Sequence, residues 1–250
     1  MLTQTTKAGA TLHALFPTLV YHMNLSTAEA YADAFEQCRD TYAFNPAVGT
    51  SARYNAGEYH GKIHLHQDKR LEAFFTDLAE QVAAYLRVLG MKPQFFNMNC
   101  LKSWLVICEP ESEENSTSMV AHNHSCSDIS WVYYPQVPED CAPITFHAGR
   151  RLATQLFDAG FHYDWHDQDK SAISTVNGWN SDTWSIHPKS GDLLIFPGHQ
   201  LHSIEVNTTQ QPRISAAGDI ALTLKAEHQN LEFGRRDLKH WVTQSLGDES

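Results

Sequence analysis

A mainly β fold with flanking helices is predicted by three features of this 250-residue chain. From residue 95 onward the sequence breaks into short apolar runs bounded by turn residues, the pattern of strands. Clear helical period is confined to the stretch before that point, apart from a short tail near the end. The composition, 42% hydrophobic and 19% charged, supplies a core large enough for one domain of this length.

The run from Thr11 to Leu25 is rich in Leu, Val, Phe and Tyr and reads as an opening strand. Ser26-Thr27-Ala28-Glu29 then has capping-box spacing, in which hydroxyl and carboxylate each satisfy an orphan amide at a helix start. The helix should reach about Thr41, with Tyr31, Ala34, Phe35 and Cys38 as its inward stripe. Residues 43 to 68 hold Pro46, Gly49, Gly57 and Gly61 without helical period, so they read as loop or irregular strand. Three histidines fall there, His60, His64 and His66. His64-Leu65-His66 lacks a nearby carboxylate or a following strand of matching pattern, and reads as a pair of surface or packing histidines. Lys69 to Leu89 is the strongest helix: Leu71, Phe74, Phe75, Leu78, Val82, Tyr85, Leu86 and Leu89 share one face and Gly90 stops it. That face should cover a sheet.

Eight strands follow: Phe95 to Cys100, Ser103 to Cys108, Met119 to His124, Ile129 to Tyr134, Ile144 to His147, Asp192 to Phe196, His202 to Val206 and Arg213 to Leu224. Eight suffice for a double-stranded β-helix, a cupin-like jelly roll, here with an N-terminal helical layer. The polar stretch from Gly149 to Pro188, with Trp165, Trp179 and Trp184, has no clear period and reads as a lid or a surface insertion. Glu232 to Leu246 reads as a last short helix. The expected organisation is a single domain over 1–250: 1–93 a strand and supporting helices, 94–225 the β-helix core with the 149–188 insertion, and 226–250 a C-terminal helix.

Charge and cysteine usage narrow the function. A net charge of -11 repels nucleic-acid backbones and anionic membranes, so neither is expected as the main partner. Five cysteines without a CxxC pair argue against a disulfide framework or a zinc ribbon and read as reduced thiols. The apolar run Leu15 to Tyr21 is too short, and too interrupted by Pro17, for a signal sequence or a membrane span, so a cytoplasmic protein is expected.

The chemistry concentrates in two places. In Val120-Ala121-His122-Asn123-His124 the two histidines stand at i and i+2, which in extended chain aims both imidazoles at one point. A third can come from His202, which follows the apolar run Gly191 to Pro197; His199 competes but falls inside the turn. Iron(II) binds imidazole well, and non-haem oxygenases hold it by two histidines and a carboxylate on one face. The plainer reading, three unrelated histidines in a chain with 15, is opposed by the strands on either side of them. Arg213 and Ser215 share a face of the last strand, where a guanidinium and a hydroxyl can grip a carboxylate together. An edge arginine paired to a surface acid is the alternative there.

Taken together, His122-Asn123-His124, the run Asp128 to Tyr134, Gly191 to Pro197 with His202, and Arg213-Ile214-Ser215 resemble the 2-oxoglutarate and Fe(II)-dependent oxygenase superfamily. The nearest branch is a set of uncharacterised bacterial and phage proteins related to the prolyl-hydroxylase-like enzymes, whose opening Leu15-Phe16-Pro17-Thr18 also resembles. The resemblance spans about residues 14 to 222, with its specific motifs in 122–134 and 191–215. It implies Fe(II) as cofactor, 2-oxoglutarate as cosubstrate, and hydroxylation of a C–H bond with release of succinate and CO2. The substrate would be a small molecule or an amino-acid or peptide side chain, with molecular oxygen. Arg213, Ser215 and Tyr134 would hold the distal carboxylate of 2-oxoglutarate, while Tyr133 faces the other way. Asn97, Asn99 and Trp104 are candidate pocket residues, although strand asparagines more often satisfy local backbone.

One position departs from the superfamily. Most members carry H-x-D or H-x-E, and here the third position is His124. Three readings follow: a three-histidine iron site of His122, His124 and His202, which ranks first; a site in which Asp128 swings in as the carboxylate; or a two-histidine site completed by water. Halogenation is disfavoured, because halogenases of the superfamily place a small residue where this chain has a bulky histidine. The rival functions are a cupin-like metal-binding protein and a three-histidine metalloenzyme without 2-oxoglutarate, neither of which needs Arg213 with Ser215.

Overall fold

A computed structural model describes residues 3–5, 11–13, 17–25, 28–41, 44–46, 52–55, 64–111, 118–124, 126–148 and 181–228. In chain order its strands are β1 (Thr3–Thr5), β2 (Thr11–His13), β3 (Tyr21–Asn24), β4 (Phe44–Pro46), β5 (Ala52–Asn55), β6 (Phe96–Cys108), β7 (Met119–His122), β8 (Ile129–Gln136), β9 (Ile144–His147), β10 (Thr183–Ile186), β11 (Asp192–Pro197), β12 (His202–Ile204) and β13 (Arg213–Leu224). The helices are α1 (Ala28–Thr41) and α2 (Glu72–Val88). Strands β6 to β13 are shared between two antiparallel sheets, alternating between them except at β9 and β10, which pair with each other in the smaller one. The larger runs β3-β11-β8-β13-β6-β5-β4, the smaller β10-β9-β12-β7, and β1 pairs with β2 alone. This is the expected double-stranded β-helix.

Period two sorts the larger sheet into an outer and an inner face. On β8, Ile129, Trp131 and Tyr133 join the core beneath the helices, whereas Val132 and Tyr134 join the core between the sheets. On β13, Ile214, Ala216 and Ile220 face outward and Ala217 inward. The helices cap the outer face because their apolar stripes meet it. Tyr31, Phe35 and Cys38 of α1 and Phe74, Leu78, Val82, Tyr85 and Leu86 of α2 are all buried there. The Phe74 ring lies 4.9 Å from that of Tyr133 and 5.5 Å from that of Trp131.

Helix α2 follows a 3-10 turn at Lys69–Leu71, whose start is capped by the Asp68 carboxylate accepting from the Arg70 amide at 2.9 Å. It ends at Gly90, whose φ of 77° is open to glycine without cost. Leu89, expected on the apolar face, is 46% exposed because the helix has already closed.

Four boundaries differ from the sequence reading. The opening strand is two, β2 and β3, with irregular chain at 17–20 between them within the described residues. Strands also occur within the 43–68 stretch, as β4 and β5. Phe95 to Cys100 and Ser103 to Cys108 are one strand. Lys102 pairs with Asp219 and Cys100 with Ile220, so Leu101 is the extra residue of a β-bulge. The bulge exchanges the faces: Phe96 and Met98 pack outward before it, Leu105 and Ile107 after it. Finally, a strand, β10, lies within 181–188, where none was expected. Its Thr183, Trp184 and Ser185 are all exposed, so no alternation marks it as a strand. The rest of the insertion, Trp165 and Trp179, His60, Leu15 and Phe16, and the helix expected at 232–246 lie outside the described residues. All five cysteines are free, and no helix among the described residues is long and apolar enough to cross a membrane.

Candidate metal centre

The smaller sheet brings the histidines together. His122 at the end of β7 pairs directly with His202 at the start of β12. His124 stands just past the end of β7 and is held by the next turn of chain: its amide donates to the Gly198 carbonyl at 2.8 Å, and the Gly198 amide donates to the Asp128 carbonyl at 3.1 Å. Only glycine fits there, because a Cβ at 198 would stand 2.4 Å from the Ser127 carbonyl oxygen. The ring centroids of His122 and His202 are 4.4 Å apart, and His124 lies 5.4 and 5.3 Å from them. One nitrogen from each ring falls within 4.8 Å of the others. Metal–imidazole bonds of about 2 Å would close this triangle by small side-chain rotations.

Hydrogen bonding engages one nitrogen of each ring. His122 Nδ1 lies 2.9 Å from the Val120 carbonyl, His202 Nδ1 3.0 Å from the Gln200 carbonyl, and His124 Nδ1 2.6 Å from Asp219 Oδ1. A carbonyl or an ionised carboxylate only accepts, so each Nδ1 carries the proton. Each Nε2 then keeps its lone pair for a metal. Burial lowers the pKa of His122 and brings that of His202 down to about 4, which favours the neutral imidazole that metal binding requires.

Behind His124 lies a polar group that sequence reasoning did not single out. Asp219, buried on the inner face of β13, accepts from His124 and also from Ser130 Oγ at 2.9 Å through the same oxygen. Its other oxygen lies 3.4 Å from Lys102 Nζ. Burial opposes its ionisation, but His124, Ser130 and Lys102 outweigh that and hold its pKa below the usual value. Lys102 also sits over Trp104 at 4.9 Å, and Trp104 stacks on His124 at 5.8 Å with an interplanar angle of 20°. The signal available in the sequence was an acid between the small and apolar residues Ala216 and Leu222 of β13.

The second constellation occupies the far end of β13. Arg213 is fully buried, donating from Nη1 to the Ala142 carbonyl at 3.0 Å and from Nη2 to Cys108 Sγ at 3.1 Å. No carboxylate among the described residues pairs with it, and its Nε is buried without a hydrogen-bond partner. Tyr134 Oη is buried and unpartnered in the same way. Burial raises the pKa of this phenol, and the Arg213 charge beside it works in the opposite direction. Ser215, two residues along β13 and buried, shares the Arg213 face. Tyr134, Phe146 and Phe196 form one apolar cluster, and both phenylalanine rings touch His202, at 6.2 and 5.0 Å. The two constellations thus share one interior. A buried guanidinium with no anion is costly, and an unpartnered hydroxyl adds to the cost; a ligand carboxylate would satisfy both.

The other candidates separate cleanly. Asp128 is not part of the histidine triangle, and its Oδ2 accepts from the Leu222 amide at 2.8 Å. His199 is exposed in its turn. Asn99 bonds the Ala221 carbonyl and Thr223 Oγ1, both at 3.1 Å, which is local satisfaction, and Asn97 is exposed. The His64 and His66 rings meet at a tilt, 5.0 Å apart, and His66 Nδ1 bonds Ser103 Oγ at 2.8 Å.

Comparisons with known proteins agree with this geometry. Residues 102–219, which contain every residue of both constellations, match the family described as "Putative 2OG-Fe(II) oxygenase". No match was found among curated proteins. Among solved structures, the epimerase SnoN in complex with Fe3+, alpha ketoglutarate and nogalamycin RO is similar at 16% identity and a TM-score of 0.54, over 83% of this chain and 82% of that one. The non-heme alpha ketoglutarate dependent carbocyclase SnoK from nogalamycin biosynthesis is similar at 13% identity and 0.50, over 83% and 82%. A prolyl hydroxylase from Trichoplax adhaerens is similar at 9% and 0.50, over 80% and 82%. At such identities these likenesses establish the fold. The resemblance to the 2-oxoglutarate and Fe(II)-dependent oxygenases is therefore borne out, and the three-histidine group is suited to that family's iron.

Proposed function

We propose that this protein, whose core matches the 2-oxoglutarate and Fe(II) oxygenases, is a dioxygenase that hydroxylates a C–H bond of a small molecule or of an amino-acid or peptide side chain. In this reading His122, His124 and His202 hold the iron through Nε2, and Arg213, Ser215 and Tyr134 hold the distal carboxylate of 2-oxoglutarate. When bound, the metal and cosubstrate supply oxygen activation coupled to decarboxylation, releasing succinate and CO2 and oxidising the substrate.

The protein's own part is binding, orientation and exclusion of water. The carbonyls of Val120 and Gln200 and the Asp219 carboxylate keep each Nδ1 protonated and so aim each Nε2. Phe146 and Phe196 wall His202 with apolar surface. Arg213 binds the cosubstrate as a planar double donor through atoms already fixed by Ala142 and Cys108, so little side-chain freedom is lost when the anion arrives.

One observation carries the reading beyond a generic metal site: the buried Arg213 lacks an anionic partner among the described residues and lies beside the unpartnered hydroxyl of Tyr134. A cupin-like metal binder, or a three-histidine enzyme without 2-oxoglutarate, leaves that charge unexplained. The test is calorimetric titration of the anaerobic Fe(II)-loaded protein with 2-oxoglutarate, then admission of oxygen and assay of succinate. One equivalent bound and succinate formed is the expected result. Iron bound with no affinity for 2-oxoglutarate would transfer the argument to the rival readings.

A further inference from the structure

The three-histidine arrangement leaves a deficit of charge. A carboxylate ligand would offset one positive charge of the iron, and His124 as a neutral imidazole offsets none. The anion in the interior lies one bond network further out. Asp219 is buried, its Oδ1 is 2.6 Å from His124 Nδ1, and the opposite ring nitrogen of His124, a member of the histidine triangle, is left for a metal.

We infer that Asp219 is a positioning residue that supplies, through the imidazole of His124, the carboxylate character that the metal ligands themselves lack. This rests on the iron-site reading above. Its geometry is that of a carboxylate–histidine–metal relay: the hydrogen bond fixes the tautomer, fixes the ring's rotation and makes Nε2 a stronger donor. The carboxylate is itself oriented. Ser130 Oγ donates to the oxygen facing His124, and Lys102 approaches the oxygen turned away from it, so Lys102 does not compete with His124 for the same oxygen. Lys102 is 45% exposed and therefore screened by water, which leaves most of the anion's field directed at the buried imidazole. Trp104, stacked on His124, limits rotation of the ring from its face.

The pairing also explains why an acid is tolerated within β13. The bulge at Leu101 turns Lys102 to the inner face, opposite Asp219 and next to the loop that carries His124. An unshifted strand would present Lys102 to the core beneath the helices.

The test is a double-variant cycle read by metal binding, with Co(II) as a spectroscopically visible probe and no 2-oxoglutarate or turnover involved. Asp219→Asn should weaken Co(II) binding by about 10- to 100-fold and change the Co(II) absorption spectrum. In a His124→Asp background, where the ligand is itself a carboxylate and no imidazole remains to be oriented, the same Asp219→Asn change should cost less than about threefold. Equal costs in the two backgrounds would mean that Asp219 serves only the fold, and no cost in the first would remove it from the site; either overturns the inference. Failure of the unaltered protein to bind one equivalent of Co(II) would instead sink the iron-site reading. Should Asp219→Asn not fold, imidazole 15N NMR of the unaltered Zn(II)-loaded protein decides alone. A His124 ring protonated at Nδ1 and metallated at Nε2 is required, and one metallated at Nδ1 refutes the relay.

Discussion

Tyr133 and Tyr134 are neighbours on one strand, both buried and both with a hydroxyl lacking a hydrogen-bond partner, yet they belong to different halves of the molecule. Tyr133 faces the helices, its ring 5.2 Å from Phe35 and 4.9 Å from Phe74. Tyr134 faces the space between the sheets, beside Arg213. The same division runs along the whole larger sheet. Outward positions are almost wholly apolar, while Ser130, Arg213, Ser215 and Asp219 are all buried on the inward side. Period two thus separates stability from chemistry residue by residue, and substitutions on the two faces should fail in different ways.

The largest effect is expected outside. Phe74→Ala removes a fully buried ring that contacts Tyr31, Phe35, Phe75, Trp131 and Tyr133, and should cost about 3–5 kcal/mol in urea unfolding. Metal affinity of the remaining folded protein should be unchanged. A loss of Co(II) affinity at unchanged stability would break the division between the faces. Next comes Arg213→Ala on the inside, which should weaken 2-oxoglutarate binding by about 2–5 kcal/mol in calorimetry. It should also lower unfolding free energy less than Phe74→Ala does, because the charge removed is buried without an anionic partner in the free protein. Unaltered 2-oxoglutarate affinity would take Arg213 out of the cosubstrate site.

The two faces were not equally legible in the sequence. The outer face announces itself, since α2 has a clean helical stripe and β8 and β11 are continuous apolar runs. The inner face is readable only where a motif concentrates it, as in His122-Asn123-His124 and Arg213-Ile214-Ser215. Even there the route differs from the expectation. His124 joins His122 through the Gly198 contact after the strand has ended, and not through alternation along it. The eight strands were counted correctly for a mixed reason. One was divided at the Leu101 bulge, where a polar step resembles a turn, and β10 was missed because its exposed edge residues carry no period. Asp219 was invisible as a site residue because its partners, His124, Ser130 and Lys102, come from three other segments that only the fold brings together.

The smallest effect gives the sharpest contrast, because the chemical change is the same on both faces. Near neutral pH, Tyr134→Phe should weaken 2-oxoglutarate binding by about 1 kcal/mol, the worth of one hydrogen bond, with stability held. Tyr133→Phe should leave binding unaltered and stability within about 1 kcal/mol, since the hydroxyl it deletes has no partner to lose. Alkaline unfolding then separates the outer variant from the unaltered protein. Burial, with Tyr31 adding to it, pushes the pKa of Tyr133 up to about 12 from the ordinary phenol value of 10. Below pH 10 both folded and unfolded chains keep the phenol protonated, so it contributes no slope. Between pH 10 and about 12 the unfolded chain releases the proton and the folded one retains it, so stability falls as pH rises through that window. The full loss for such a group is on the order of 3 kcal/mol. Tyr85, also buried against α2's core and also raised to about 12, titrates in the same window. Tyr133→Phe should therefore remove part of the alkaline slope in urea unfolding measured from pH 9 to 11.5, leaving the shares of Tyr85 and of Tyr134, whose pKa burial also raises. A slope identical to that of the unaltered protein would mean that the Tyr133 hydroxyl meets water, and that the outer face is less tightly sealed than its packing indicates.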